Sequence, residues 1–379
     1  MTDGALDDLA RLTPDLASLG WDDELDRWAD DAARQLDLDP ETVIRGRLAR
    51  VSRGHSVVFV GGEAVLAASA STRSDTGVEP ATGDFVLVAD DEDDGPHIAA
   101  TAPRRTTLQR RAAGRVPEPQ VLAANMDGVL VMHGLDRELN LRRIERQLVV
   151  AWDSGAIPTV VLTKADVADD LAASVEAVVA IAPGADVIAT STVTGVGLDH
   201  VAALTRGHTV AMFGLSGIGK SSLVNVLSDG VVQRIGEVRA TDHRGRHTTV
   251  TRDLIPLPGG GLVIDAPGVR EIGLWQAYDG MARAFPVIAG AVTACRFADC
   301  EHRQEPGCAV RAAVDAGEVA ERRLDHWREL QAELDLQESQ LAEFARRSES
   351  RQRAGAEEEA DRTRSDHTRR SRRGGRRRR

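Results

Sequence analysis

The apolar and polar positions of the chain change period three times. Residues 1–40 are acidic and follow a helical pattern, with Trp21 and Trp28 seven apart on one face. That spacing predicts a helical arm packed on a neighbour. From residue 43 the pattern shortens. Runs at 43–51, 56–60, 64–68, 84–89 and 97–101 read as strands, with Gly61-Gly62 as a hairpin turn and 69–83 as a polar loop. Five short strands in so little chain predict a small barrel of OB type. An apolar run at 121–132 opens a new unit. An amphipathic stretch follows at 141–152, then an apolar run at 159–162 and a helical stretch at 171–182. Further apolar runs lie at 186–189, 209–213 and 262–264, and residues 223–227 read as a helix start. Strand and helix alternating at this pitch predict a mainly parallel α/β sheet. After Leu274-Trp275 the period is helical. Over 309–353 it is broken at Gly317, and Trp327, Leu330, Leu334, Leu341 and Phe344 keep a core-facing spacing. The expected organisation is a helical arm (1–40), an OB-like barrel (41–112), an α/β domain (113–275), a helical module (276–350) and a disordered tail (351–379).

Composition narrows the class. A hydrophobic share of 42% in 379 residues is enough for two or three cores. No apolar run is long enough to span a bilayer, and the acidic N-terminus lacks a basic-then-apolar signal, so a cytoplasmic protein with no membrane partner is expected. The formal net charge of −12 argues by itself against nucleic acid. The charge is uneven, however: residues 369–379 carry eight arginines, suited to phosphate contacts without sequence preference. Arg104, Arg105, Arg110, Arg111 and Arg115 suggest a second basic patch just after the barrel. Aromatics in the barrel are limited to Phe59 and Phe85, too few for a base-stacking platform.

The chemistry centres on Gly214-Leu215-Ser216-Gly217-Ile218-Gly219-Lys220-Ser221-Ser222. The run fits G-x-x-x-x-G-K-[ST] between an apolar strand and a helix start, the context a phosphate-binding loop requires. Its glycines let backbone N–H groups turn inward, Lys220 reaches the β and γ phosphates, and the Ser221 hydroxyl ligates Mg²⁺. Lysine is otherwise nearly absent: the chain has only Lys164 and Lys220. Where arginine fills almost every basic position, lysine survives at sites that need a compact ammonium. Lys164 sits in Thr163-Lys164-Ala165-Asp166, which resembles the [NT]-K-x-D motif that selects guanine. Asp166 would accept from guanine N1 and the exocyclic amine. Adenine lacks that pair of donors and would leave the carboxylate unpaired. The Lys164 stem would cover the base. Ser191 and Thr192, in the run 190–195, stand where a backbone N–H meets the guanine oxygen.

Asp265-Ala266-Pro267-Gly268 fits D-x-x-G, with Asp265 holding Mg²⁺ through water and the Gly268 N–H sensing the γ phosphate. The guanine loops therefore precede the phosphate loop, the reverse of the ordinary order. The core reads as a circularly permuted P-loop GTPase whose last switch leads straight into the next domain. Arg244-Gly245-Arg246-His247-Thr248-Thr249 occupies the first switch, where Thr248 or Thr249 would coordinate Mg²⁺. Val269 follows Gly268 in place of a water-orienting glutamine, leaving His247 as the nearest polar candidate for that role and implying slow turnover without an activating partner. Lastly, Cys295, Cys300, His302 and Cys308 have the spacing C-x4-C-x-H-x5-C and include every cysteine of the chain. Three thiolates and an imidazole make a closed, structural Zn²⁺ site.

Taken together, these motifs resemble the small ribosomal subunit-dependent GTPase A family, circularly permuted bacterial GTPases of late small-subunit maturation. The resemblance runs from Leu19-Gly20-Trp21 to residue 345. Its most specific pieces are 214–222, Gly245-Arg246-His247-Thr248-Thr249, Asp265-Ala266-Pro267-Gly268-Val269-Arg270-Glu271 and the Cys/His set. It implies an OB barrel, a permuted GTPase domain binding GTP or GDP, and a zinc module, in that order. It also implies GTP hydrolysis stimulated by the small subunit, rRNA contacts through the outer domains, and a part for His247 in hydrolysis. Other assembly factors are expected as partners, and the chain is expected to be a monomer. Two positions depart from the family pattern. Thr163 replaces the commoner asparagine, implying looser nucleotide affinity with unchanged base choice, and Thr192 stands where alanine is usual. The competing readings are a P-loop ATPase, against which Asp166 argues, and an RNA-binding assembly scaffold with a silent nucleotide site.

Overall fold

The computed structural model describes residues 13–52, 54–68, 79–91, 95–112, 118–229, 252–265 and 273–374. Helix α1 (Asp23–Gln35) starts at Asp22, whose carboxylate accepts from the free N–H groups of Glu24 and Leu25. One face of α1, Leu25, Ala29 and Ala33, packs with Trp21 against Phe85, Leu87 and Ala100 of the barrel wall. Trp21 meets Phe85 edge to face at 5.7 Å. Within the described part of the stretch, this helix packs on the barrel.

The barrel comprises β1 (Ile44–Val51), β2 (His55–Phe59), β3 (Ala64–Ala68), β4 (Phe85–Asp91) and β5 (Gly95–Thr101). They pair in the order β1-β2-β3-β5-β4, and β4 returns to β1 to close the ring. This is the OB connectivity expected from the strand spacing. Closure brings β1 and β2 so near that a Cβ on Gly46 would stand 2.5 Å from Val58 Cγ1 and 2.7 Å from Phe59 O. Leu48, Val58, Ala67, Val86, Val88 and Ile98 fill the interior.

A hairpin that the hydrophobic pattern did not reveal follows: β6 (Thr107–Arg111) and β7 (Pro119–Ala124), antiparallel. The α/β unit then runs β8 (Gly128–Gly134), α2 (Leu141–Asp153), β9 (Ile157–Thr163), α3 (Leu171–Val179), β10 (Asp186–Ala189), α4 (Leu198–Thr205), β11 (Thr209–Gly214), α5 (Lys220–Leu227), β12 (Asp253–Pro256) and β13 (Leu262–Asp265). Sheet order is β10-β9-β8-β11-β13-β12, parallel except for β12. Side chains alternate across the sheet as the pleat demands. Val129, Val131, Val160, Leu162 and Phe213 face Ile144, Leu148 and Val149 of α2, while Leu130, Met132, Val161 and Met212 face Leu223 and Val224 of α5. The two units share one continuous sheet, because Arg50 of β1 pairs with Asp253 of β12 in register and as an ion pair.

Arg47 fastens this junction. It is 1% exposed. Its guanidinium donates to Leu19 O (2.6 Å), Gly83 O (3.1 Å), Asn125 O (2.6 Å) and Thr209 Oγ1 (2.8 Å), joining the N-terminal arm, the barrel and the α/β sheet. Burial pushes its pKa down to about 10, which leaves it charged at neutral pH.

The C-terminal part consists of α6 (Tyr278–Ala284), α7 (Pro286–Val292), α8 (Ala309–Asp315) and the long α9 (Glu321–Gly374). Gly280 lets α6 cross α2, since a Cβ there would stand 2.0 Å from Val149 O. The first half of α9 is strapped to α2 by Glu145 with His326 (2.7 Å) and Arg323 (3.1 Å), by Arg142 with Glu329 (2.7 Å), and by Arg146 with Glu333 (2.5 Å). The buried Gln337 side chain of α9 grips the segment after β13, donating to Leu274 O and accepting from the Gln276 N–H, both at 2.9 Å. Among the described residues no helix is long and apolar enough to cross a membrane.

Two expectations need correction. The stretch from residue 351, expected to be disordered, continues α9 to Gly374. It is rich in Arg, Glu and Ala, strong helix formers, and holds no proline. The described arginines of the basic patch after the barrel, expected to be available for phosphates, are each engaged by the protein's own groups, although Arg105 stays exposed. Arg104 makes two bonds, 2.7 and 2.8 Å, to the buried Asp84 carboxylate, and Arg105 pairs with Asp22 (2.8 Å) and Glu24 (3.0 Å). Arg110 binds Gln120, and Arg111 binds Gln340 of α9. Arg115 lies outside the described residues.

Candidate nucleotide site and metal cluster

Because β8, β9, β10, β11 and β13 are parallel, the loops that follow them leave one edge of the sheet. Ligands of open α/β sheets bind at such carboxyl ends. The loop after β11 is the phosphate-loop candidate. Gly214 must be glycine here, since a Cβ would lie 2.3 Å from Ile218 Cδ1 and 2.6 Å from Met132 O. Gly217 and Gly219 hold φ of +79° and +100°, open to glycine without strain. Leu215 is half-buried, Ser216 and Gly217 face solvent, and Ile218 is the buried anchor of the turn. Lys220, at the head of α5, is buried and arches back to donate to Gly214 O (2.8 Å) and Leu215 O (2.9 Å). Burial lowers its pKa, and the nearby Asp265 carboxylate opposes that shift. Ser221 and Ser222 follow on the exposed face of the first helical turn.

The loop after β9 lies directly against this one. Buried Thr163 hydrogen-bonds to Ile218 O and to His133 O. Lys164 adopts φ +58°, unusual outside glycine, and its ammonium donates to Gly217 O at 2.8 Å. It also donates to Asp136 Oδ2 at 2.8 Å. Asp136 follows β8, and its pKa is held down at about 2, chiefly by the Lys164 hydrogen bond and then by Arg137. The sequence reading missed Asp136, whose only signal was its place two residues past the end of a strand beside the phosphate-loop strand.

Asp166 is exposed, and its Oδ1 accepts from the Ser191 hydroxyl at 2.5 Å. Ser191 Oγ in turn accepts from the N–H groups of Val193 and Thr194, which shapes the turn containing exposed Thr192. Asp265 ends β13, in register with Met212 of β11. Thr163, Lys164, Asp166, Ser191, Thr192, residues 214–222 and Asp265 therefore share one edge, although 25 to 55 residues separate the bonded pairs. His247, Thr248, Thr249 and Gly268 lie outside the described residues.

The second cluster sits between α7 and α9. The ligand atoms of Cys295, Cys300, His302 and Cys308 all lie within 4.8 Å of one another. His302 Nδ1 is 3.5 Å from both Cys295 Sγ and Cys308 Sγ, and those sulfurs are 4.0 Å apart. A tetrahedron with zinc–sulfur bonds of about 2.3 Å has edges of about 3.8 Å. The cluster thus fits a four-coordinate ion with no open position. His302 packs edge to face on Trp327 of α9 at 5.5 Å, and its backbone carbonyl accepts from Arg328. Both contacts anchor the cluster to the long helix.

Comparisons with known proteins agree with this geometry. The RsgA GTPase family profile matches residues 101–275. The small ribosomal subunit biogenesis GTPase RsgA of Streptomyces avermitilis is 43% identical over 319 residues, covering 83% of this chain and 84% of its own length. The protein of that name from Syntrophotalea carbinolica is 37% identical, with 93% and 98% covered. Among solved structures, YjeQ from Thermotoga maritima superposes with a TM-score of 0.59 at 25% identity, covering 77% of this chain and 98% of that one. YloQ, described as a circularly permuted GTPase, superposes with a TM-score of 0.54 at 23% identity and supports the fold, covering 77% of this chain and 95% of that one.

Proposed function

The chain belongs to the RsgA GTPase family, and from that premise we propose that it hydrolyses GTP on the assembling small ribosomal subunit and assists its late maturation. One observation carries the reading. The guanine-loop residues Thr163 and Lys164 hold the carbonyls of Ile218 and Gly217 in the phosphate loop. A nucleotide whose phosphates lie on one loop would meet the base-reading residues of the other.

Backbone N–H groups of 214–222 cradle the phosphates, and Lys220 turns its ammonium from the loop carbonyls to the β and γ oxygens. Asp166 selects guanine, the Lys164 stem covers the base, and the Ser191-Thr192 turn offers N–H groups to the guanine oxygen. Ser221 and Asp265 would hold Mg²⁺, which when bound neutralises charge developing on the phosphate oxygens. Thr248 or Thr249 would complete that site, Gly268 would offer its N–H to the γ phosphate, and His247 would orient the water. The Cys/His set holds one structural Zn²⁺. The partners are the small subunit with its rRNA, together with other assembly factors. The chain acts as a cytoplasmic monomer.

The decisive assay is GTP turnover with and without purified small subunits, alongside GTP and ATP binding. Turnover should rise strongly with subunits, and GTP should bind far more tightly than ATP. Equal affinity for the two nucleotides, or turnover indifferent to subunits, would overturn the reading.

A further inference from the structure

The guanine motif has a fourth member outside its own tetrapeptide. We propose that Asp136 is a positioning residue that sets the Lys164 side chain as the platform for the base. The inference rests on the guanine-nucleotide reading of the site.

An ammonium has three donors and swings on a flexible stem. Here two directions are fixed, by Gly217 O and by Asp136 Oδ2, each at 2.8 Å. The backbone end is fixed as well, because Lys164 sits in the left-handed region at φ +58°. With both ends held, the four methylenes between them have little freedom left. The carboxylate is itself braced. A Cβ on Gly134 would stand 2.5 Å from Asp136 Oδ1, so the side chain folds back over the end of β8. Arg137 adds a second brace, donating to Oδ1 at 3.4 Å and to Oδ2 at 3.3 Å. The pair is only partly open to water, with 32% and 30% of the two side chains exposed. A tie of this kind removes rotamer entropy before the ligand arrives, which raises affinity by preorganisation.

Two lysines in the chain make the idea directly observable. With the protein labelled with ¹⁵N at lysine, the ammonium spectrum has one signal from Lys164 and one from Lys220. Asp136→Asn should shift or broaden the Lys164 signal and leave that of Lys220 in place. GDP binding, measured with an N-methylanthraniloyl-GDP probe, should weaken about tenfold in Asp136→Asn. Asp136→Glu should recover part of that loss. In a Lys164→Met background, where no ammonium remains to be held, Asp136→Asn should weaken binding no further. Wild-type affinity in Asp136→Asn, or an equal loss with and without Lys164, would overturn the inference. Failure of the parent reading looks different: the wild type would bind GDP no better than ADP, and Lys164→Met would bind GDP as the wild type does.

Discussion

Arg47→Met is the most informative single change to the scaffold. Methionine keeps the apolar stem and removes all five N–H donors. Four hydrogen bonds are lost, to Leu19 O, Gly83 O, Asn125 O and Thr209 Oγ1. A bond from a charged donor contributes about 1.5–3 kcal/mol, so the gross loss is about 6–12 kcal/mol. Two effects reduce it. Gly83 O keeps the Asn125 amide at 3.1 Å. Removing a charge that is 1% exposed also returns several kcal/mol of desolvation cost. The net destabilisation should be about 3–5 kcal/mol, the range for dismantling a buried charged network. Because the four acceptors belong to three different parts of the chain, the loss should show in cooperativity as well as in midpoint. Urea unfolding followed by tryptophan fluorescence should report it, since Trp21 and Trp28 sit on the barrel side and Trp152 and Trp327 on the other. The wild type should unfold in one transition, and Arg47→Met should split into two, with the barrel melting first. A single transition within 1 kcal/mol of wild type would refute the claim that this guanidinium joins the two units.

Asp153 sits between α2 and α6, where burial and then Asp279 push its pKa up to about 6 against the Gly280 N–H. The folded protein therefore holds a proton that the unfolded chain releases, and stability falls as pH rises from about 4 through 6. Asp153→Asn should stabilise the protein at pH 7.5 by about 1 kcal/mol after allowing for solvent on its open side, seen as a higher melting temperature, and the gain should vanish near pH 4. A gain of the same size at both pH values would count against the burial argument. Gly280→Ala should cost about 1–3 kcal/mol by forcing α6 off Val149 O; an unchanged denaturant midpoint would show that the crossing yields easily. Elemental analysis of protein from zinc-replete cells should find one zinc per chain, lost in Cys300→Ser with a lowered melting temperature; metal-free wild type would remove the structural ion.

Short-range chemistry was legible in the amino-acid sequence. The phosphate loop, the guanine tetrapeptide and the Cys/His spacing each lie within fourteen residues or fewer, so spacing alone encodes their geometry. The barrel strands were legible as well, because short apolar runs are set off by turn residues; Ala64–Ala68 was read to the residue. Long-range pairing left no such trace. Arg104 and Arg105 look like a surface patch in sequence, yet the first finds its carboxylate 20 residues away in Asp84 and the second 83 residues away in Asp22. Arg47 looks like any other arginine of a β-strand. The β6–β7 hairpin hid because its first strand, Thr107–Arg111, is polar along most of its length and its burial is set by neighbours elsewhere in the chain. Asp136 hid because one carboxylate after a strand carries no pattern.

The grip of Gln337 on Leu274 and Gln276 lies ten residues along α9 from Trp327, which backs His302 of the Cys/His cluster. Ten helical residues span about 15 Å. A stiff rod held at two such points travels as one body. A displacement of Leu274–Gln276 would therefore be carried along the rod to the cysteine knuckle, and a load on the knuckle would be felt at Leu274–Gln276.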